Sequence, residues 1–174
     1  MKLIPLFIAL LLAGCTGSRS DVDYDPEFNF ASVQQVSLLP SQHNNDPLNA
    51  RRADDALKRM LRQQGWSVVP DSAIKLQLTL WQQTEANDSS FSIGIGGGRS
   101  SGNSSIGGAV SVPVTDPVAD YQQLRIDMYH DQKQVWRSID RYKINNRDSA
   151  EKRQQKTDKT LQRIFASLPL NNAK

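Results

Sequence analysis

Cysteine occurs once in the 174 residues, at Cys15, so no intramolecular disulfide can form and stability has to come from a packed core. Histidine occurs twice, at His43 and His130, which leaves little for zinc sites or histidine-based catalysis. No apolar run approaches the ~20 residues that cross a bilayer as a helix. The longest, Leu3 to Leu12, is broken by Pro5. Charge of neither sign dominates: 21 basic residues face 18 acidic ones, for a formal net charge of +3. Nucleic-acid binding needs a clustered basic surface, and this balance argues against it. No internal repeat is present.

What is present begins at the N-terminus. Lys2, the short apolar run and the tetrad Leu12-Ala13-Gly14-Cys15 form a secretory signal with small residues before a cut site between Gly14 and Cys15. The arrangement resembles the lipobox of bacterial lipoproteins, in which the cysteine thiol takes a diacylglycerol and the freed amine a third acyl chain. That resemblance implies lipidation of Cys15 as the only covalent group, with no other cofactor. Two or more chains give stable anchoring where one gives only marginal binding. Thr16, rather than aspartate, follows the cysteine. By the same resemblance the expected location is the outer membrane, periplasmic face. Residues 1–14 are read as a cleaved leader, 15–23 as a lipidated N-terminus and flexible tether, 24–170 as one domain, and 171–174 as a disordered tail.

Within the domain, Val33 to Leu39 reads as a strand ended by Pro40. Asp46-Pro47 opens a helix, the aspartate as cap and the proline at the first helical position. Leu48, Ala53, Ala56, Leu57, Met60 and Leu61 recur at helical spacing, and Gly65 supplies a left-handed stop. Arg51, Arg52, Lys58, Arg59 and Arg62 read as its solvated side, since Asp54 and Asp55 share the helix.

Ile74 to Trp81 alternates strictly, Ile74, Leu76, Leu78 and Leu80 against Lys75, Gln77, Thr79 and Trp81, and predicts a strand with one face in a core. Phe91 to Val114 predicts a β-hairpin rich in glycine and serine, with a mobile tip over Gly97 to Asn103. Leu124 to Tyr129, a turn at Asp131 to Lys133, and Val135 to Ile144 predict a second hairpin. Asp148 with Glu151 three residues on reads as a capping box for a last helix, which Pro169 ends. Strand, helix, a run of strands and a helix give an α+β class: a single open mixed, mostly antiparallel sheet with two amphipathic helices packed on one face. The strand-helix-strand start places its two strands parallel if they share the sheet.

Chemistry-bearing patterns are few. His130 lies near Asp127 and Asp131, and serines are plentiful, but no Gly-x-Ser-x-Gly elbow occurs. Gly94-Ile95-Gly96-Gly97-Gly98-Arg99-Ser100 misses the phosphate-loop pattern, with arginine in place of lysine and Ile93 at the first glycine position. Asp21, Asp23 and Asp25 lack the glycine and terminal glutamate of a calcium loop, so no metal site is expected. Catalytic residues are therefore assigned to none. Gly94, Gly96, Gly97, Gly98 and Arg99, with Trp81 on the polar side of its strand, form the candidate interaction surface.

The ordered set of Tyr24-Asp25, Phe28 and Phe30, Leu38-Leu39-Pro40, Asp46-Pro47-Leu48, Gly65-Trp66, Ala73 to Leu80, the glycine-rich hairpin, Leu124 to Asp127, Val135-Trp136-Arg137 and Ile164 to Pro169 resembles the bacterial envelope lipoproteins of the domain of unknown function 4136 type. Ile74-Lys75 departs from them, where an acidic residue followed by an apolar one is common. The resemblance implies no reaction and no catalytic residues. The function expected is a non-enzymatic binding or accessory protein of the cell envelope, held to the membrane by its lipid, with an envelope protein or peptidoglycan as partner. The alternatives are a periplasmic hydrolase using His130, and a carrier of an apolar ligand between helices and sheet.

Overall fold

The computed structural model describes residues 20–43, 46–86, 92–101, 104–113 and 118–170, and of 92–101 and 104–113 the backbone alone. The expected leader (1–14), Cys15 and the expected tail (171–174) lie outside the described residues. Among the described residues, nine strands and two α-helices follow in the order β1 (Asp21–Tyr24), β2 (Gln35–Leu38), β3 (Gln42–His43), α1 (Pro47–Gln63), β4 (Ser67–Val68), β5 (Ile74–Ala86), β6 (Ser92–Ser101), β7 (Ser104–Pro113), β8 (Val118–His130), β9 (Lys133–Lys143) and α2 (Ala150–Ala166). A short 3₁₀ turn, Phe30–Ser32, leads into β2.

The fold is α+β. Seven strands form one open mixed sheet in the order β1-β9-β8-β5-β2-β4, with β3 also pairing on β5. The strands flanking α1 are parallel, as the strand-helix-strand start requires, with Ser37↔Lys75 and Leu38↔Leu76 in register. The β5-β8 and β8-β9 ladders are antiparallel. β8 and β9 are joined through Asp131 and Gln132, both at positive φ (48° and 71°), as a two-residue type I′ connection requires. A bulge follows, since Met128 pairs Trp136 while Tyr129 pairs Gln134. Val135 is the extra residue, and the bulge lets two consecutive residues, Val135 and Trp136, both turn inward.

Three expectations are corrected. The tether over 15–23 gives way at Asp21 to an edge strand, β1, paired Asp21↔Ile139 to Tyr24↔Trp136. Its side chains are exposed on both faces, and four residues, Asp21-Val22-Asp23-Tyr24, are too short a run for alternation to mark a strand. Among the described residues, the glycine-rich hairpin is not part of the main sheet: β6 and β7 pair only with each other. Their ladder runs on to Ser101↔Ser104, so Gly97 to Ser101, expected in a loose tip, are paired backbone, and Gly102 and Asn103 lie outside the described residues.

Helix ends follow local chemistry. Asp46 caps α1, its carboxylate accepting the Asn49 N–H at 3.0 Å, with Pro47 at the first helical position. At the other end Gly65 sits at φ +78°; its N–H donates to Arg62 O (3.1 Å) and that of Trp66 to Leu61 O (2.9 Å), a Schellman pair. The cap of α2 is corrected by one residue. Ser149, in extended backbone, accepts the Lys152 N–H, while Asp148 turns to Lys156.

Inward positions of the strands are Val36, Leu76, Leu78, Leu80, Leu124, Ile126, Met128 and Trp136. They join Ala53, Ala56, Leu57, Met60 and Leu61 of α1 and Leu161, Ile164 and Phe165 of α2 in one cluster. Each large side chain so buried contributes roughly 1.5–3 kcal/mol against its exposed state. The ring of Trp136 lies 6.1 Å from Phe165, which in turn meets Trp66 at 6.2 Å. Large side chains therefore occupy the layer where an apolar ligand was considered.

Candidate functional site

Alternation decides what the other face of the sheet carries. On β5 the outward residues are Lys75, Gln77, Thr79 and Trp81; on β8 Gln123, Arg125, Asp127 and Tyr129; on β9 Arg137, Ile139 and Arg141. Register brings them together in rows: Gln77 beside Asp127 beside Arg137, then Thr79 beside Arg125 beside Ile139, then Trp81 beside Gln123 beside Arg141.

Asp127 is the centre of this face. Arg137 Nε donates to its Oδ1 at 2.6 Å, and Arg125 Nε stands 2.9 Å from its Oδ2. The carboxylate is fully buried although it points away from the core, because these two groups cover it. The Asp127 hydrogen bond holds the Arg137 guanidinium above its ordinary range. Arg125 also donates to Thr79 Oγ1 (3.3 Å) and lies 6.0 Å from the Trp81 ring, within reach of a cation–π attraction. The next row repeats the pattern: Arg141 stacks over Tyr121 at 4.4 Å and pairs with Glu85, which also accepts from Gln123 (2.9 Å). A hollow of about 320 Å³ lies at Trp81, lined also by Gln42, His43, Thr79 and Arg125. The face offers partly exposed guanidiniums and aromatic rings on paired strands, a surface suited to binding.

A second feature lies at the β8-β9 turn. The segment from Asp25 to Gln35 bounds a cleft of about 680 Å³ with Phe28, Ile74, His130, Lys133 and Val135. The Phe28 ring meets Phe30 at 4.8 Å and His130 at 5.4 Å. Lys133 Nζ donates to Asp25 Oδ2 at 2.7 Å. That bond, with the Glu27 N–H, holds the Asp25 carboxyl below its ordinary range and Lys133 above its own.

The structure separates His130 from Asp127. Residues three apart on a strand face opposite ways, and Asp127 is held by its arginines. His130 Nε2 has Asp131 Oδ2 at 3.5 Å, with the side chains 45% and 77% exposed. Ser32 lines the same cleft but donates to Asn29 O at 2.7 Å. Among the described residues no three His, Cys, Asp or Glu converge as metal ligands, and no helix is long and apolar enough to cross a membrane.

Of the sequence-predicted site residues, Trp81 stands on the open face, while Gly94, Gly96, Gly97, Gly98 and Arg99 lie in β6. Gly14 and Cys15 fall outside the described residues. Sequence reasoning missed Arg125, Arg137, Tyr121 and Arg141. Parity was an available signal for Arg125, which alternates with Leu124 and Ile126; Tyr121, Arg137 and Arg141 each have a polar neighbour in sequence, and register aligns charge with countercharge.

Residues 20–170 match the family described as Domain of unknown function (DUF4136), and the chain belongs to that family. No curated protein matches it. Among solved structures it is similar to a PDZ domain protein from Parabacteroides distasonis, with a TM-score of 0.51 and 9% identity over 86% of this chain. The match spans 35% of that protein's length, and the likeness concerns the fold alone. It is also similar to the PelC dodecamer from Paraburkholderia phytofirmans, with a TM-score of 0.46 and 12% identity over 83% of this chain and 97% of that one.

Proposed function

We propose that this chain is an outer-membrane lipoprotein, anchored through Cys15 and facing the periplasm, whose domain is a non-enzymatic binding module of the cell envelope. The observation that carries the reading is the tetrad Leu12-Ala13-Gly14-Cys15 behind a short apolar run, five residues ahead of Ser20. Binding is assigned to the open face of β5, β8 and β9, where Trp81, Arg125, Arg137 and Tyr129 are presented side by side on paired strands. Aromatic and arginine side chains are the types that dominate binding energy at interfaces. An envelope protein or peptidoglycan is the partner this reading calls for.

Two experiments test it. Membrane fractionation of a Cys15→Ser variant should move the protein from the outer-membrane pellet to the soluble periplasm; a variant that stays in the pellet sinks the anchor. In-cell photocrosslinking from position 81 should capture a discrete envelope component, and capture should fall in an Arg125→Ala variant. Crosslinks from an outward position of α1, such as Lys58, that match those from position 81 would remove the open face as the binding surface.

A further inference from the structure

α2 carries Lys152, Lys156, Lys159 and Arg163 at spacings of four, three and four. Those steps stack the four on one stripe of the helix. Lys152 and Lys159 are exposed. Lys156 and Arg163 lean toward β9: Lys156 Nζ donates to Lys143 O (2.8 Å), and Arg163 Nη2 to Arg141 O (3.1 Å). Two acids stand beside the stripe and each already has a partner, Asp148 with Lys156 and Asp140 with Arg163. The acids of α2 itself, Glu151 and Asp158, lie off the stripe, Asp158 turned to Arg59 of α1 at 2.8 Å.

The N-terminal segment arrives at this same flank. β1 covers β9 only from Trp136 to Ile139, and the residue before it, Ser20, reaches Asp140 with its hydroxyl 3.5 Å from Oδ2. Asp140 is thus shared between the incoming chain and Arg163. Cys15 is five residues upstream, which even fully extended span no more than about 18 Å. Arg19 lies within that stretch.

From these observations we infer that the α2-β9 flank is a membrane-facing surface that docks on anionic phospholipid. This deepens the anchoring reading and rests on it for the distance to the bilayer. The leash is short enough to hold the basic stripe within reach of the headgroups. Charge complementarity then fixes which side of the domain turns to the lipid, and leaves the open face of the sheet accessible from the periplasm. Attraction of basic residues to an anionic leaflet decays within a Debye length, so the leash strengthens, by keeping the stripe close, an attraction the stripe also exerts without it.

Every residue of the core cluster lies between Phe30 and Leu168, so a chain of residues 15–174 with Cys15→Ser retains the whole core without an acyl group. Cosedimentation of this chain is measured with vesicles of phosphatidylcholine alone and of phosphatidylcholine with phosphatidylglycerol. Partitioning is expected only with the mixed vesicles, and added salt should abolish it. A Lys152→Glu/Lys159→Glu variant should lower it about tenfold or more, and a Lys152→Gln/Lys159→Gln variant by less. An Arg51→Glu/Lys58→Glu variant on α1 should match the parent. Equal partitioning on neutral vesicles, none on the mixed ones, or an equal loss in the α1 control would overturn the proposal. Because no acyl chain is present, these outcomes are independent of the Cys15→Ser fractionation, which tests the anchor itself.

Discussion

Replacing Arg125 and Arg137 together by alanine strands the Asp127 carboxylate, and the cost can be worked from the geometry. In the intact protein both carboxylate oxygens have a guanidinium within 2.9 Å, and no part of the side chain reaches water. Breaking a fully buried pair by removing one partner costs about 3–5 kcal/mol. Here the arginine side chains are 28% and 38% exposed, so solvent screens part of each interaction. Each single replacement should therefore cost about 1–2 kcal/mol and the double replacement about 2–4 kcal/mol, more than water entering the gap can restore. Asp127→Asn in the parent should also destabilise, because two guanidiniums lose their countercharge. In the double-alanine background the sign should reverse: Asp127→Asn removes a stranded charge and should recover about 1 kcal/mol or more. Urea denaturation followed by tryptophan fluorescence measures the parent and all five variants, and an unchanged m-value checks that the same surface unfolds. A shift of roughly 2–4 °C in Tm accompanies each kcal/mol for a chain of this size. If Asp127→Asn destabilises equally in both backgrounds, the three side chains are not coupled and the account of the open face is wrong.

Three further outcomes are expected. Gly65→Ala should cost about 1–2 kcal/mol, because φ +78° is left-handed while an added Cβ meets nothing within 4 Å; an unchanged midpoint would mean the α1 stop is not held there. Trp136→Ala should cost about 3–5 kcal/mol, whereas Trp136→Phe should cost much less, since the buried indole N–H has no acceptor and its loss offsets part of the cavity; equal losses in chemical denaturation would contradict this. Asp25, with its folded pKa depressed, contributes stability that is present above its unfolded value of 3.8 and is lost as pH falls through the lower folded value; Lys133→Gln should return the Asp25 titration, followed by carboxyl NMR, toward its ordinary range, and an unmoved titration would show that Lys133 is not the cause.

The sequence by itself determined the two helices with the cap at Asp46 and the stop at Gly65, the β5 alternation, and the α+β class. These are readable because they are local: a capping side chain acts within three residues, and a one-faced strand writes its burial as a period of two. Tertiary structure decided the rest. β1, β3 and β4 are short and exposed, and exist only because a neighbouring backbone offers hydrogen bonds. The ladder from Gln82–Ala86 to Val118–Gln122 is polar, without alternation, and is specified by the register that Leu76, Leu78 and Leu80 set further along. Asp127, Arg125 and Arg137 look in sequence like solvated strand residues, and Asp127 and Arg137 are ten positions apart. Register places Arg137 directly across from Asp127, and the Met128/Tyr129 bulge settles which β9 residues face outward. A charge pattern read along one strand gives each residue's side of the sheet. Which countercharge meets it depends on pairing between strands, a non-local choice fixed by the buried core.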